Sequence, residues 1–216
     1  MHMDKAMREQ LAQIPTGNVA DNNGGAPRQG VMDSGIKPLD PKSRMVGRAF
    51  TVRCRPGDNL AVHQALNAAG EGDVLVLDCG GYTEAGHFGD ITALACLMRG
   101  IAGVVIDGSC RDAEYIKELG LPVFVRGINP RGTTKAVLGE LGVPVTCGGI
   151  TVRTGDVVLG DCDGVVVVPR EAEDEVFEAA QHKFEKELHQ VEALRAGANT
   201  LELLGFDRII AELERR

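Results

Sequence analysis

The 216-residue sequence predicts an α/β fold, and three observations carry that expectation. Short Val/Ile-rich runs such as Asp73–Asp78 (DVLVLD) alternate with segments of helical pattern that end at glycine. The runs are almost continuously apolar, as strands buried on both faces of a parallel sheet are. Trp is absent and aromatics are 4% of the chain, so Val, Ile, Leu and Ala must build the core.

Taken in order, Asp4 to Ile14 carries a short helical pattern stopped by Pro15. The following residues to Met45, rich in Gly, Pro, Asn and Asp, predict a long surface connection. Long loops often carry function, so Asn18, Asp21 and Asp33 are site candidates there, against a plain role as turn residues. Val46–Cys54 is a strand, and Asn59–Ala69 a helix stopped by Gly70. His63 on that helix reads as a packed or surface histidine. Strand Asp73–Asp78 leads into a loop, Tyr82–Gly89. Asp90 caps helix Ile91–Arg99, and Ala102–Ile106 is a strand turned by Asp107-Gly108. Asp112 caps helix Ala113–Leu119, and Leu121–Val125 is the next strand. Strands joined in this way need crossover helices and pair in parallel.

Beyond Val125 the pattern changes to short strands between Gly and Asp turns: Val143–Cys147, Ile150–Val152, Val157–Leu159 and Gly164–Val168. These predict a β-rich layer packed on the α/β half. From Arg170 to Ala196, apolar residues fall at three- and four-residue spacing, which predicts one long amphipathic helix. Thr200–Arg216 is a second short helix or arm, and a long helix beyond a finished domain suits packing against a neighbouring subunit.

The totals exclude several function classes. A net charge of −8 and the lack of a basic run argue against phosphate-neutralising nucleic-acid binding. The apolar runs are strand-length, short of the ~20 residues that span a bilayer. MHMDKAMREQ lacks the apolar centre of a signal peptide. Six singly placed cysteines with no CxxC read as reduced thiols in the cytoplasm, most of them small buried hydrophobes. Cys110 stands apart because it borders Arg111.

The chemistry-bearing stretch is Gly86–Gly120, where Asp90 is followed, after twenty residues, by Arg111-Asp112. A helix start at Gly89-Asp90 offers unpaired backbone N–H groups and a dipole that favours an anion. Arg111 offers a fork of donors that matches a carboxylate or enolate oxygen. Asp90 and Asp112 are hard oxygen ligands suited to Mg²⁺ or Mn²⁺. The Asp107-Gly108 turn lies at a strand's C-terminal end, where open parallel sheets hold ligands. The same residues also fit plain structural roles: both aspartates as N-caps and Arg111 as a surface partner of Glu114. His182, Glu185 and His189 share roughly one face of the long helix, a metal site or, more simply, a solvated charged face. No GxGxxG fingerprint or GxSxG elbow occurs.

The stretch GDITALACLMRGIAGVVIDGSCRDAEYIKELGLPVFVRGINPRG, with GDVVLGDCDGVVVVP further on, resembles the RraA-like family from about Ile36 to Arg170. That family includes class II 4-hydroxy-4-methyl-2-oxoglutarate / 4-carboxy-4-hydroxy-2-oxoadipate aldolases, which also decarboxylate oxaloacetate. It also includes the regulator of ribonuclease E activity, which has no such catalysis. The resemblance implies a three-layer β/β/α swivelling-type domain over residues 1–170, with residues 171–216 as a helical arm on an adjacent subunit of a homotrimer or hexamer. It implies that Asp112 is the direct protein ligand of Mg²⁺ or Mn²⁺, with Asp90 orienting the metal's waters. Arg111 would bind a small keto acid and stabilise its enolate, and the amides of Gly89, Asp90, Ile91 and Thr92 would hold its carboxylate. The family's glutamate from a neighbouring C-terminal helix corresponds to Glu187, in the Lys186-Glu187 pair ten residues before Ala196-Gly197. ADNNGG stands where the family usually has a helical Asp-Ala-Leu stretch near the N-terminus.

Overall fold

The Val/Ile runs form strands, and their alternation divides the core in two. A computed structural model describes residues 3–215. In chain order its elements begin with α1 (Lys5–Leu11), α2 (Thr16–Asn22), β1 (Lys37–Pro38), β2 (Met45–Arg53) and α3 (Leu60–Ala68). They continue with β3 (Asp73–Phe88), α4 (Asp90–Met98), β4 (Gly103–Cys110), α5 (Ala113–Leu119) and β5 (Val123–Ile128). The remainder is β6 (Glu140–Leu141), β7 (Val145–Cys147), β8 (Ile150–Val152), β9 (Val157–Gly160), β10 (Val165–Val168), α6 (Glu173–Arg195), α7 (Thr200–Leu204) and α8 (Phe206–Leu213).

The main sheet runs β1-β5-β4-β3-β2-β9-β10, with β6 added beside β2. The four central strands β2 to β5 pair in parallel, and β9 and β10 close the sheet antiparallel. Leu75 and Leu77 of β3, with Val104 and Ile106 of β4, face one way into a core shared with Val62 and Leu66 of α3, Ala93 of α4 and Ile116 of α5. Val74, Val76 and Val105 face the other way, against the β7–β8 hairpin through Val145, Cys147, Ile150 and Val152. Helices, main sheet and hairpin are therefore the three layers, and each fully buried Val or Leu contributes roughly 1.5–3 kcal/mol. A third apolar cluster joins Val19 of α2 to Val176 and Ala180 of α6, so the start of the long helix belongs to this chain's own core.

Several expectations are corrected. The stretch Tyr82–Gly89 is strand through Phe88, and Asp107-Gly108 lies inside β4. β3 stays beside β4 by bulging: Asp78, Tyr82, Gly86 and Phe88 pair successively with Asp107, Gly108, Ser109 and Cys110. Extra residues on one strand break the two-residue alternation that marks a strand in sequence. The expected surface connection after Pro15 contains α2, anchored where Asp161 accepts the Thr16 N–H at 2.9 Å and its hydroxyl at 2.7 Å. The terminal segment is two helices, broken at Gly205 in the left-handed conformation. Among the described residues no helix is long and apolar enough to cross a membrane.

Candidate active site

The C-terminal ends of β3 and β4 lie side by side, which brings two helix starts together. Phe88 pairs with Cys110, and the Arg111 N–H donates to the Phe88 carbonyl at 2.8 Å. Two glycines make the approach possible. A Cβ on Gly86 would stand 2.9 Å from Arg111 Cβ, and one on Gly89 only 2.6 Å from Asp112 Oδ2. Asp90, Arg111 and Asp112, separated by twenty residues in sequence, therefore meet at one place.

The capping roles differ from those expected. Gly89 occupies the N-cap position of α4, and Asp90 is the first helical residue. Thr92 Oγ1 accepts the Gly89 N–H at 2.9 Å. Asp90 Oδ1 accepts the Ile91 N–H at 2.7 Å, and Asp112 Oδ2 accepts the Asp90 N–H at 3.3 Å. Of the four amides expected to hold a carboxylate, three are thus engaged by local side chains, two of them carboxylates. The helix start already attracts anionic oxygen.

Asp112 does occupy the N-cap position of α5, yet its side chain makes no capping bond there. Its backbone is left-handed, at φ 56° and ψ 35°. Non-glycine residues held in that region cluster at functional sites. The conformation turns the carboxylate back toward α4, 3.2 Å from Arg111 Nε.

The resulting cleft, about 370 Å³, is lined by Gly89, Asp90, Ile91, Thr92 and Arg111 on the α4 side. Its other walls are Asn59 and His63 of the α3 region, and Gly132, Thr133 and Lys135 of an irregular strap after β5. The terminal nitrogens of Arg111 make no hydrogen bond among the described residues, so their donors remain open to a ligand. His63, expected to be a packed or surface histidine rather than a ligand, is partly exposed and lines the cleft. Sequence reasoning missed Asn59, Thr133 and Lys135, which belong to no motif and lie far from Asp90 along the chain.

A second, more open recess shares Asp90 and continues over Asp112, Glu114, Tyr115 and Glu118. Asp112 Oδ1 and Asp90 Oδ2 accept no hydrogen bond among the described residues. Hard, half-exposed carboxylate oxygens beside water are the donor set that Mg²⁺ or Mn²⁺ takes, so these residues fit such an ion. Another acidic group, Asp161-Cys162-Asp163, brings its ligand atoms close together. Asp161 Oδ1 and Oδ2, however, already accept from Thr16, and Oδ1 also accepts the Asp163 N–H at 2.9 Å.

Other candidates lie elsewhere. Asp107 is buried and holds Arg126 Nε at 2.6 Å and the Gly148 N–H at 2.8 Å, so its strand-end position serves the fold. Asp33 pairs with that same Arg126 at 3.5 Å. Cys110 is fully buried, and burial pushes its thiol up to about 11, which leaves no thiolate for nucleophilic work. His182, Glu185 and His189 form no metal-binding group among the described residues, and His189 faces Glu192 instead. Glu187 on α6 does not line the Arg111 cleft of its own chain. It accepts a hydrogen bond from Asn18 Nδ2 at 2.7 Å, while Lys183 pairs with Asp21 and approaches Glu187.

Known proteins share this sequence pattern and this fold. A protein of Halalkalibacterium halodurans that carries the provisional name 4-hydroxy-4-methyl-2-oxoglutarate aldolase is 39% identical over 174 residues, 81% of either chain. The crystal structure of an uncharacterised Pseudomonas syringae protein superposes with a TM-score of 0.81 at 27% identity, covering 94% of this chain and 98% of that one. The Streptomyces coelicolor protein RraAS2, described as an unusual member of the RNase ES inhibitor RraA family, gives 0.76 at 28% identity, covering 88% and 98%. Residues 16–167, which hold all of the sheet but its last residue and both helix starts of the cleft, match the profile described as RraA-like, Aldolase/RraA, and the chain belongs to that family.

Proposed function

We propose that the protein is a divalent-metal-dependent carbon–carbon lyase that cleaves 4-hydroxy-2-oxo acids of the 4-hydroxy-4-methyl-2-oxoglutarate or 4-carboxy-4-hydroxy-2-oxoadipate type to pyruvate and a second keto acid. Decarboxylation of oxaloacetate is the related activity. The observation that carries this reading is the convergence of Arg111, Asp112 and Asp90 on the start of α4. Three charged groups meeting at an amide-rich helix start suit an anionic substrate that must gain negative charge as it reacts.

The chemistry requires a proton to leave the C4 hydroxyl while the C3–C4 bond breaks and its electrons move to the C2 carbonyl as an enolate. Mg²⁺ or Mn²⁺ held by Asp112 supplies Lewis-acid charge for that electron flow when bound. Arg111 donates from its open terminal nitrogens to the substrate carboxylate and the developing enolate oxygen. The Asp90 amide, once Asp112 turns away, and the Thr92 amide beside it receive the remaining carboxylate oxygen, while the Ile91 amide keeps hold of the Asp90 side chain. Asp90 Oδ2, unbonded while Oδ1 is held by Ile91, takes up the hydroxyl proton and returns it to C3 of the enolate, which gives pyruvate, while Glu187 brought by a neighbouring copy orients that hydroxyl. Lys135 adds a second cation to the cleft, suited to a substrate with a second carboxylate.

The start of α6 packs on its own chain, and the exposed apolar residues of α7 and α8 support the reading of the later part of this segment as an arm on an adjacent subunit of a homo-oligomer. Leu201, Leu204, Phe206, Ile209, Ile210 and Leu213 are all exposed in the single chain. The test is pyruvate release from 4-hydroxy-2-oxo acids and from oxaloacetate with Mg²⁺ or Mn²⁺. Arg111→Ala is expected to lose it and EDTA to stop it; equal turnover in both proteins would sink the reading. The similarity to RraAS2 supports a second reading, a non-enzymatic ribonuclease regulator. Tight capture of a ribonuclease by a protein with no lyase activity would favour it.

A further inference from the structure

We propose that Asp58 is a positioning residue of the cleft: its carboxylate clips the strap over residues 131–139 onto the start of α3 and so sets where Thr133 and Lys135 stand. The proposal rests on the reading of this cleft as a keto-acid site. The strap is polar, largely exposed and without regular structure up to β6, so neither a helix nor a sheet ladder holds it. Its large apolar residue, Leu138, is exposed. An irregular segment of this kind loses conformational freedom on ordering and needs specific bonds to hold it.

Those bonds converge on Asp58, which is 2% exposed. Asp58 Oδ2 accepts the Ala136 N–H at 2.6 Å and the Thr134 hydroxyl at 2.7 Å, while Oδ1 accepts the Leu60 N–H of α3 at 3.0 Å. One carboxylate thus spans strap and helix. The backbones add two bonds around it: Thr134 N–H to the Gly57 carbonyl at 2.9 Å, and Asn59 N–H to the Thr134 carbonyl at 3.1 Å. Burial by itself raises the Asp58 carboxyl, but the Ala136 and Leu60 amides, the Thr134 hydroxyl and the Val137 amide bring it down to about 2. The clip is therefore charged, and charge-assisted bonds are the stronger kind.

The turn that carries Asp58 is itself fixed. His87 Nε2 accepts the Gly57 N–H at 2.9 Å, and Asn59 Nδ2 donates to the His87 carbonyl at 3.1 Å. His87 belongs to β3, two residues before Gly89. One chain of hydrogen bonds thus runs from the strand that carries the α4 start, through Asp58, to the strap that carries Lys135. Both walls of the cleft are referred to the same strand.

The strap carries Arg131 and Lys135, so trypsin under native conditions reports its hold without any assay of the reaction. Wild type is expected to resist cleavage after Lys135. Asp58→Asn and Thr134→Val are expected to be cut there about tenfold faster, and Thr134→Ser, which restores the hydroxyl, to behave as wild type. In turnover of a dicarboxylic 4-hydroxy-2-oxo acid, Asp58→Asn is expected to raise KM about fivefold or more with kcat little changed. On a Lys135→Met background the same substitution should raise KM no further, because the group it positions is already gone. Wild-type resistance in both Asp58→Asn and Thr134→Val would overturn the clip, as would independent, multiplicative KM effects of Asp58→Asn and Lys135→Met. Should Asp58→Asn fail to fold, Thr134→Val against Thr134→Ser decides the matter alone. Absence of pyruvate release by wild type would count against the lyase reading, while the trypsin pattern would still judge the clip.

Discussion

Asp112 Oδ2 lies 2.6 Å from the point where a Cβ on Gly89 would stand, and the same oxygen receives the Asp90 N–H at 3.3 Å. The two helix starts touch through a carboxylate that fits only because residue 89 has no side chain. Gly89 has φ −154°, an extended conformation open to any residue, so Gly89→Ala carries no backbone strain. Its added methyl would push the end of a short, half-exposed side chain. The expected result is a stability change below about 1 kcal/mol with pyruvate release reduced by about a hundredfold, since small displacements of reacting groups are costly. Gly86→Ala is the contrast. Its Cβ would meet the Asn129 carbonyl and Arg111 Cβ at 2.9 Å, backbone and near-backbone atoms that cannot swing aside. That variant is expected to lose about 1–3 kcal/mol as well as activity, read by thermal denaturation beside the same assay.

The left-handed backbone of Asp112 separates its charge from its shape. Asn tolerates that conformation and keeps the size of the side chain, so Asp112→Asn is expected to fold with stability within about 1 kcal/mol of wild type. It removes the anionic oxygen that suits a divalent cation. Pyruvate release should fall by at least about a hundredfold, and the Mn²⁺ concentration for half-maximal binding, followed by Mn²⁺ paramagnetic resonance, should rise in parallel. Unchanged Mn²⁺ binding in this variant would remove Asp112 from the metal.

The sheet was legible because its signal is local: DVLVLD and GVVI carry their buried faces in the order of their own residues. The Asp90/Arg111-Asp112 set was legible as a spacing, and the structure brings its members together. The bulged end of β3 was not, because β3 uses Asp78 through Phe88 to cover Asp107 through Cys110, and glycines at its bends resemble a loop. Nor was the conformation of Asp112, since an aspartate before a helix suggests a side-chain cap and only the paired strands turn it toward α4. The cleft's remaining walls were hidden for a related reason. Lys135 is placed by Asp58, and α2 by Asp161, through bonds between residues far apart in the chain that no local pattern records.

His87 gives the fold a predictable pH dependence. Its ring is fully buried, Nε2 accepts the Gly57 N–H, and Nδ1 has no partner in bonding geometry among the described residues. Burial holds its pKa below the ordinary 6.5, opposed by the nearby Ser109 and Ala85 carbonyls and the Asp58 charge. As pH falls, the unfolded chain takes up a proton near 6.5 while the folded chain takes it up only at lower pH. The contribution of neutral His87 is therefore complete above 6.5 and drains below it, at up to about 1.4 kcal/mol per pH unit. Urea unfolding at pH 7.5, 6.5 and 5.5 is expected to show this loss in wild type. His87→Gln, which keeps an acceptor without a titrating ring, should give a flatter profile; parallel profiles would show that His87 is not the source.

Glu187 is held on its own chain by Asn18 and Lys183, away from the Arg111 cleft, so any role in the reaction must be played across an interface. Subunit mixing separates that role from a structural one. Glu187→Gln and Arg111→Ala are each expected to be nearly inactive as pure proteins. If each site combines Arg111 of one copy with Glu187 of the next, random reassembly of equal amounts gives about a quarter of the sites both native residues. Unfolding and refolding the two variants together should then restore about a quarter of the activity of wild type treated in the same way. A mixture that stays at the level of its parents, while refolded wild type is active, would place Glu187 outside the site and leave Asp90 as the carboxylate that takes the proton.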